Sequence, residues 1–463
     1  MPRRSLPITD GFYEDALKPI ASQQLVNMYV VPVGTNGLSN GYLRGIAGIE
    51  EVADSGQGKT RGSIVFGGSY YRIDGTRLLR VNSDLTVDEL GTIPGSSRLS
   101  LATNGKNILI VSPGGPSYFY DTTSGLEKIV DPNFYSYGQA RTVVFIDGYY
   151  VLNTDDVIFN SSLVTNNDGK TFDPLDFGSA EIKPDKITSV AVYRNQLYAM
   201  GGETIEVYSN IGGEGFPFQR IDGALINKGS FCRHISVEFD NSLWFVGNDK
   251  NETPGIWRIS GGVPQKMSTI PIDNAISSKT DYEDYFGWTY GQDGAYFVGF
   301  NFGDRVFCFE SVGGKWSERI LKNPIQTVDK AYGRILAGST DGKVGQLKND
   351  VYTEYGEEMP AYFSTSPFNN DGSSFFVPEV EMKCRSGAGN ILDEDPKVWL
   401  QWSLDNGYTF NNKLERSIGG RGNTTLRQIW RRLNWVDDSI SLRFGISDRC
   451  ERAFLKLEAE FNG

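Results

Sequence analysis

The sequence predicts an all-β protein: a β-propeller of seven blades, six being the rival count, with an extended N-terminal arm and a C-terminal β-sandwich-like domain. Three observations predict it. Val, Ile, Tyr, Phe and Thr dominate the apolar runs and 54 glycines punctuate them, a mix that favours strands joined by tight turns. Two-residue turn signals recur about every 44 residues, the spacing of four-stranded blades. After Asp350 that rhythm stops, and strands of alternating character replace it.

The repeating unit is clearest in "GQDGAYFVGFNFGDRVFCFE", Gly291 to Glu310, which reads turn, apolar run, turn, apolar run. The same shape returns in "FGGSYYRIDGTRLLRVN" (66–82), "TNGKNILIVSPGGPSYFYD" (103–121), "IDGYYVLNTDDVIFNS" (146–161), "YRNQLYAMGGETIEVYSN" (193–210), "FDNSLWFVGNDKNETPGIWRIS" (239–260) and "AYGRILAGSTDGKVGQLK" (331–348). Its turn pairs are Gly67-Gly68, Asn104-Gly105, Asp147-Gly148, Arg194-Asn195, Asp240-Asn241, Asp293-Gly294 and Tyr332-Gly333. Asn-Gly and Asp-Gly suit two-residue hairpins because both central residues of a type I′ turn need positive φ. Runs such as "RGSIV", "RTVVFI", "ITSVAVY" and "HISVEF" precede the turns and supply a further strand. A blade so composed is apolar on both faces, and radial stacking buries them. The last unit is one strand short, and "GYLRGIAGIEEV" (41–52) is the candidate to complete it and close the ring. The propeller then spans residues 41–350. There is no GH…WD signature, so it is not WD40-like.

Residues 1–40 carry many Pro, Gly and Asn and little periodicity, and are read as an extended assembly arm. "YTEYGEEMP" reads as a linker, and residues 351–463 as the sandwich-like unit, with strands in "VPEVEMKCRS", "PKVWLQWSLDNGYTF", "SISLRFGISD" and "RAFLKLEAEF". No run approaches eighteen uninterrupted apolar residues, so no membrane span is expected. The opening "MPRRSLPITDGFYEDALKPI" lacks the apolar core of a signal peptide, and the cytosol is the expected place of synthesis.

The chemistry-bearing residues are sparse. Cys232, Cys308, Cys384 and Cys450 lie far apart and form no CxxC pair, so buried free thiols are expected rather than a zinc site. The single histidine, His234, sits in an apolar strand pattern and reads as a core or edge residue rather than a base. Acidic loops such as "NTDD" and "DEDP" offer no full Ca²⁺ ligand set and read as solvated turns. No P-loop, GxSxG or GxGxxG stands between a strand and a helix. No catalytic, cofactor or metal residue is assigned, and no cofactor is expected. The net charge of −12 argues against gripping nucleic-acid phosphates. One basic stretch, 414–435, interleaves Arg416, Arg421, Arg427, Arg431 and Arg432 with Trp430 and Trp435. It is read as arginines paired with acidic neighbours and packed on tryptophan, with nucleic-acid contact as the alternative.

Two octapeptides, "TNNDGKTF" (165–172) and "SLDNGYTF" (403–410), fit the Asp-box pattern and resemble the boxes of sialidases, which are also propellers. There Asn167 or Asp405 accepts local backbone hydrogen bonds, Gly169 or Gly407 permits left-handed geometry, and Phe172 or Phe410 anchors the hairpin. In that family the box is structural. The likeness leaves a sialidase-like or glycan-binding receptor-recognition propeller as the alternative function, although the Arg-Ile-Pro segment of sialidases is missing.

A second resemblance covers both ends of the chain. In "SQQLVNMYVVPVGTNGLSNGYLRGIAGIEEV" (22–52), Leu25, Val26, Asn27, Met28 and Tyr29, then Tyr42, Leu43, Arg44 and Gly48-Ile49, resemble the N-terminal signature of the packaged-DNA stabilisation proteins of short-tailed bacteriophages (podoviruses). These are the tail hub or nozzle proteins, also called tail accessory factors. Members often carry Pro where this chain has Ala47. The segments "VWLQWSLDNGYTF", "SIGGRGN", "RQIWRRLNW" and "LRFGISD" are similar to the C-terminal region of such proteins. The resemblance implies a structural virion protein rather than an enzyme. It implies a homohexameric ring below the portal adaptor, retention of the packaged genome and passage of double-stranded DNA during ejection without specific binding. Implied partners are the adaptor ring, the tail needle or plug and the tailspike; the implied place is the virion tail, after assembly in the host cytoplasm. Leu25, Val26, Asn27, Met28, Tyr29 and Arg44 are the implied assembly-arm residues, expected to dock on a neighbour.

Overall fold

Seven antiparallel sheets follow one another along the chain in the computed structural model, which describes residues 3–34, 37–180, 185–213, 215–279 and 282–462. Blades 1 to 6 occupy residues 60–92, 100–128, 142–179, 187–220, 229–266 and 286–319. Blade 5 divides its innermost strand into Gly229–Ser230 and Val237–Phe239, both paired with Ser242–Asn248. Blade 7 takes three strands from 327–348 and its outermost, Gly48–Asp54, from the other end of the propeller sequence. The count is therefore seven rather than six. The innermost strands form a ring, with Thr327–Ala331 returning against Thr60–Phe66.

The turn chemistry explains the regularity. Both central residues have positive φ in six of the seven predicted pairs; Asp147 and Gly148, for example, have φ of 49° and 89°. The exception is Asn104-Gly105, where only Gly105 (φ 83°) is left-handed. There the Asn104 side chain accepts the backbone N–H of Lys106 and Asn107, each at 2.9 Å, and makes the turn by another route. Between blades lie separate apolar layers: Tyr71, Ile73, Ile108 and Tyr120 between blades 1 and 2, Phe119, Leu152 and Phe159 between blades 2 and 3. The layer between blades 5 and 6 is different. Trp244, Phe300 and Phe307 belong to one continuous core with Phe363, Trp430, Phe444 and Phe454 of the C-terminal unit.

That unit is a sandwich of two sheets, and the N-terminal segment builds into both. One sheet runs Gln428–Val436, Phe375–Cys384, Ala453–Asn462, Gly41–Gly45, Met28–Pro32, with Arg4–Leu6 also paired to Ala453–Asn462. The other runs Leu25–Val26, Ala361–Ser364, Ser439–Ile446, Lys397–Ser403, Leu414–Ser417. Leu25–Val26 also pairs in parallel with Trp316–Arg319, the outer strand of blade 6, so blade and sandwich form one ten-stranded sheet.

Three expectations are corrected here. The segment 41–52 does not act as one closing strand. Gly41–Gly45 belongs to the sandwich, where Leu43 is buried, and only Gly48–Asp54 closes blade 7. Gly48 makes the change of partner possible, because a Cβ there would stand 2.3 Å from Val351 O. Nor do the described residues of 1–40 form a free arm. Phe12, Leu25, Val26, Met28, Tyr29 and Val30 are buried in this same chain. Covering an aliphatic side chain gains about 1.5–3 kcal/mol, so a cluster of this size takes the cover its own chain offers. The linker reading also changes. Thr353–Glu354 pairs with Gly48–Asp54, and the Glu354 carboxylate accepts the N–H of Lys322 and Asn323, at 2.8 and 2.6 Å.

Deleting residues 1–35 therefore removes a bridging strand and an edge strand from a shared core. The truncated chain is expected to lose its cooperative melt and its near-ultraviolet circular dichroism. A truncated protein that melts like the full chain would contradict this fold assignment.

Candidate functional site

The residues expected to reach a neighbour instead form the junction between propeller and sandwich. Asn27 is its centre. The residue is fully buried with φ of 53°, a conformation Asn tolerates better than most residues. Its Nδ2 donates to the carbonyls of Ile320 and Pro360, both at 2.9 Å, while its Oδ1 accepts the N–H of Ile320 at 3.1 Å. Its backbone N–H donates to Glu318 O, and its carbonyl accepts from Ile46. One side chain thus ties the N-terminal segment to the end of blade 6 and to the start of the sandwich. Tyr29 stands edge-on to Phe297 of blade 6, centroids 5.1 Å apart, and burial pushes its phenol up. Arg44 pairs with Asp293, at the hairpin tip of blade 6, at 2.9 Å.

The two Asp boxes differ. In the second, Asp405 Oδ1 accepts from Ser403 Oγ (2.6 Å) and Thr409 N (2.8 Å), and Oδ2 accepts from Thr409 Oγ1 (2.5 Å). Gly407 has φ of 90° and donates to Ser403 Oγ. Burial alone would raise the Asp405 carboxyl, but the bonds from Ser403 and Thr409 outweigh it and bring it to about 2. Phe410 is only half-buried, with the Arg443 guanidinium 3.6 Å from its ring centroid. In the first box the expected acceptor is wrong. The Asn167 side chain is exposed and makes no hydrogen bond among the described residues; φ values of 48° and 53° at Asn167 and Asp168 turn it away from the local N–H groups. The neighbouring Asp168 binds Lys106 through its carboxylate at 2.5 Å and accepts the Asn104 and Asn107 amides at its carbonyl. Gly169 keeps its left-handed turn (φ 71°) and Phe172 is buried against Phe134, centroids 4.9 Å apart.

Two of the five arginines of the basic stretch are neutralised by carboxylates. Arg427 binds Glu381 and Arg431 binds Glu379 across adjacent strands, each at 2.8 Å. Arg427 and Arg3 hold the Glu381 carboxyl below the usual range. Arg416 packs over Trp430. All four cysteines are buried and unpaired.

Along the propeller axis lies a channel of about 450 Å³, reached by the inner strands of all seven blades and lined by Ser63, Arg98, Thr142, Arg233, His234 and Glu238 among others. Burial, then the charges of Arg98 and Arg233, lower the His234 imidazole to about 3. Burial pushes the Arg98 guanidinium down to about 9, so it remains charged at neutral pH. Nothing in "GSSRLS" marks Arg98 beforehand, since only the closed ring brings it beside His234.

A propeller that shares a sheet with a C-terminal sandwich is a two-domain arrangement, and family models match it in that order. The model for the β-propeller of bacteriophage P22 Gp10 matches residues 4–352, and the model for the Gp10 β-sandwich matches residues 361–462. The chain belongs to this family. It is 26% identical over 414 residues to the tail hub protein gp10 of Salmonella phage P22, covering 82% of this chain and 84% of that one. Among solved structures it is similar to the WD40 propeller domain of Doa1 (14% identity, 65% of this chain, 97% of that chain, TM-score 0.42). It is also similar to the N-terminal domain of Nup159 (10%, 70%, 99%, TM-score 0.43). Overlaps of this size carry no further argument.

The box geometry predicts unequal substitutions. Asp405→Ala is expected to cost about 1 kcal/mol, the loss of local bonds in a partly exposed turn, and Asn167→Ala close to nothing. Because the Asp405 carboxyl is depressed in the folded state, its contribution is present above pH 4 and disappears as pH falls toward 2. Denaturant melts of both variants at pH 7 and pH 2.5 check this; equal losses at pH 7 would contradict it.

Proposed function

We propose that this protein is the tail hub of a short-tailed phage, a structural component of the virion tail. The match of both Gp10 domain models, in order and over nearly the whole chain, carries this reading, together with the likeness to a tail hub protein over 82% of this chain. It favours the hub over the glycan-recognition alternative.

The physical character of the chain supports the role. Each blade buries both faces against its neighbours, and the sandwich is locked to blade 6 by shared backbone pairing, leaving little conformational freedom to lose under load. In our reading the working form is a homohexameric ring that extends the portal–adaptor channel, retains the packaged genome and passes it on ejection. Such a ring would meet the adaptor on one side, hold the needle or plug, and mount the tailspikes. The excess of acidic residues, −12 per chain, disfavours adhesion of passing DNA. The free arm is no longer the means of assembly, since its apolar cluster is occupied, so exposed surface must make the ring contacts. The exposed Leu17 and Ile20, which flank the Lys18 that packs over Tyr408 of the second box, are candidates.

Negative-stain images of the protein mixed with its purified portal–adaptor complex test the proposal. A sixfold ring capping the adaptor is expected, and heads assembled without the protein are expected to fill with DNA and then leak. A protein that never joins the complex yet cleaves or binds a surface glycan would overturn it.

A further inference from the structure

Other deeply buried arginines lie away from the channel and are held within the fold, although Arg72, Arg319 and Arg452 also keep an enclosed nitrogen without a partner. Arg61 donates to the carbonyls of Ser97, Gly75, Ile93 and Pro94. Arg72 pairs with Asp74 at 2.8 Å, and Arg452 donates to the carbonyls of Tyr352, Ser447 and Asp448. Arg98 is used differently. It is 7% exposed, has no carboxylate within ion-pair distance among the described residues, and makes one hydrogen bond, from Nη2 to Gln326 Oε1 at 3.2 Å. Its Nε is enclosed without a partner. The ring of Phe286, 3.4 Å away, supports the charge, but a buried guanidinium without a counter-ion is unfavourable unless something else supplies one.

The remainder of the guanidinium faces the channel, where three more donors gather. His234 is bridged through its backbone to Phe286, the residue on which Arg98 stacks, and both Arg98 and Arg233 act on its imidazole. Arg233 spends one nitrogen on Glu283 at 3.0 Å. The His234 ring and the Ser236 hydroxyl bond nothing among the described residues. Glu238, the carboxylate that also lines the channel, pairs with neither arginine. With Glu283 and the exposed Glu238 counted the formal charges balance, and these groups form a partly desolvated donor cluster around a cavity large enough for a small molecule.

We propose that the propeller channel is a binding site for a small tetrahedral oxyanion of the phosphate class, gripped by Arg98 and Arg233 with His234 and Ser236 donating beside them. Guanidinium forks match oxyanion geometry, and an anion with more than two oxygens can meet donors arriving from several blades. The neutral imidazole is suited to this because it offers an N–H without a third positive charge. The inference rests on the channel alone and is independent of the tail assignment.

The chain contains a single histidine, so His234 reports on its own site. Histidine-labelled full-length protein would be titrated with inorganic phosphate, with acetate, and with chloride at matched ionic strength, following the imidazole resonances. Phosphate is expected to shift them saturably and to raise the imidazole's protonation midpoint, since a bound anion offsets the two guanidiniums. Arg98→Gln and Arg233→Gln are each expected to weaken binding at least tenfold; the second lies at a partly exposed pair and keeps the test open should the first not fold. A response to acetate as well would assign the site to oxyanions generally, carboxylates included. No shift with phosphate, an equal shift with chloride, or unchanged binding in Arg233→Gln would overturn the proposal.

Discussion

The molecule is held together at Asn27. Its amide satisfies backbone groups of Ile320 and Pro360 while its own backbone bonds Glu318 and Ile46. No other residue type does this well. The position needs positive φ, which disfavours most side chains, and it needs a donor and an acceptor on one short stem. An aspartate would lose the donor, and an alanine would leave a part-buried N–H and two carbonyls without their partner.

From that point the architecture spreads in three directions. Leu25–Val26 fuses blade 6 to the sandwich, Met28–Pro32 and Gly41–Gly45 extend the opposite sandwich sheet, and Gly48–Asp54 closes blade 7. About thirty residues therefore serve both domains. Each blade of a propeller keeps an outer edge strand; here the N-terminal segment covers that of blade 6, supplies that of blade 7 and carries the second domain with it. A shared sheet transmits load between the two domains through hydrogen bonds instead of through a linker.

The propeller was legible because its information is local. A type I′ turn needs two left-handed residues, and Asp147-Gly148 or Asp293-Gly294 announce that in a dipeptide. The N-terminal segment was not legible for the opposite reason. Its key strand is two residues long, is buried on both faces, and pairs with partners 292 positions (Val26 with Glu318) and 336 positions (Val26 with Tyr362) away, so neither periodicity nor turn spacing could mark it. An apolar cluster among turn-formers looks the same whether a neighbour or its own chain covers it. The first Asp box shows a finer limit. Its pattern named the hairpin and the buried Phe172, but two adjacent left-handed residues moved the working carbonyl and carboxylate from Asn167 to Asp168. Arg98 had no local signal at all, because its surroundings are assembled from separate blades.

If the clasp unites the two domains, they must unfold together. Scanning calorimetry of the full chain tests this most directly. The account predicts one transition whose calorimetric and van't Hoff enthalpies agree, shifted downward as a whole by Asn27→Ala. Two separable transitions in the wild-type chain, with Asn27→Ala moving only one of them, would contradict it.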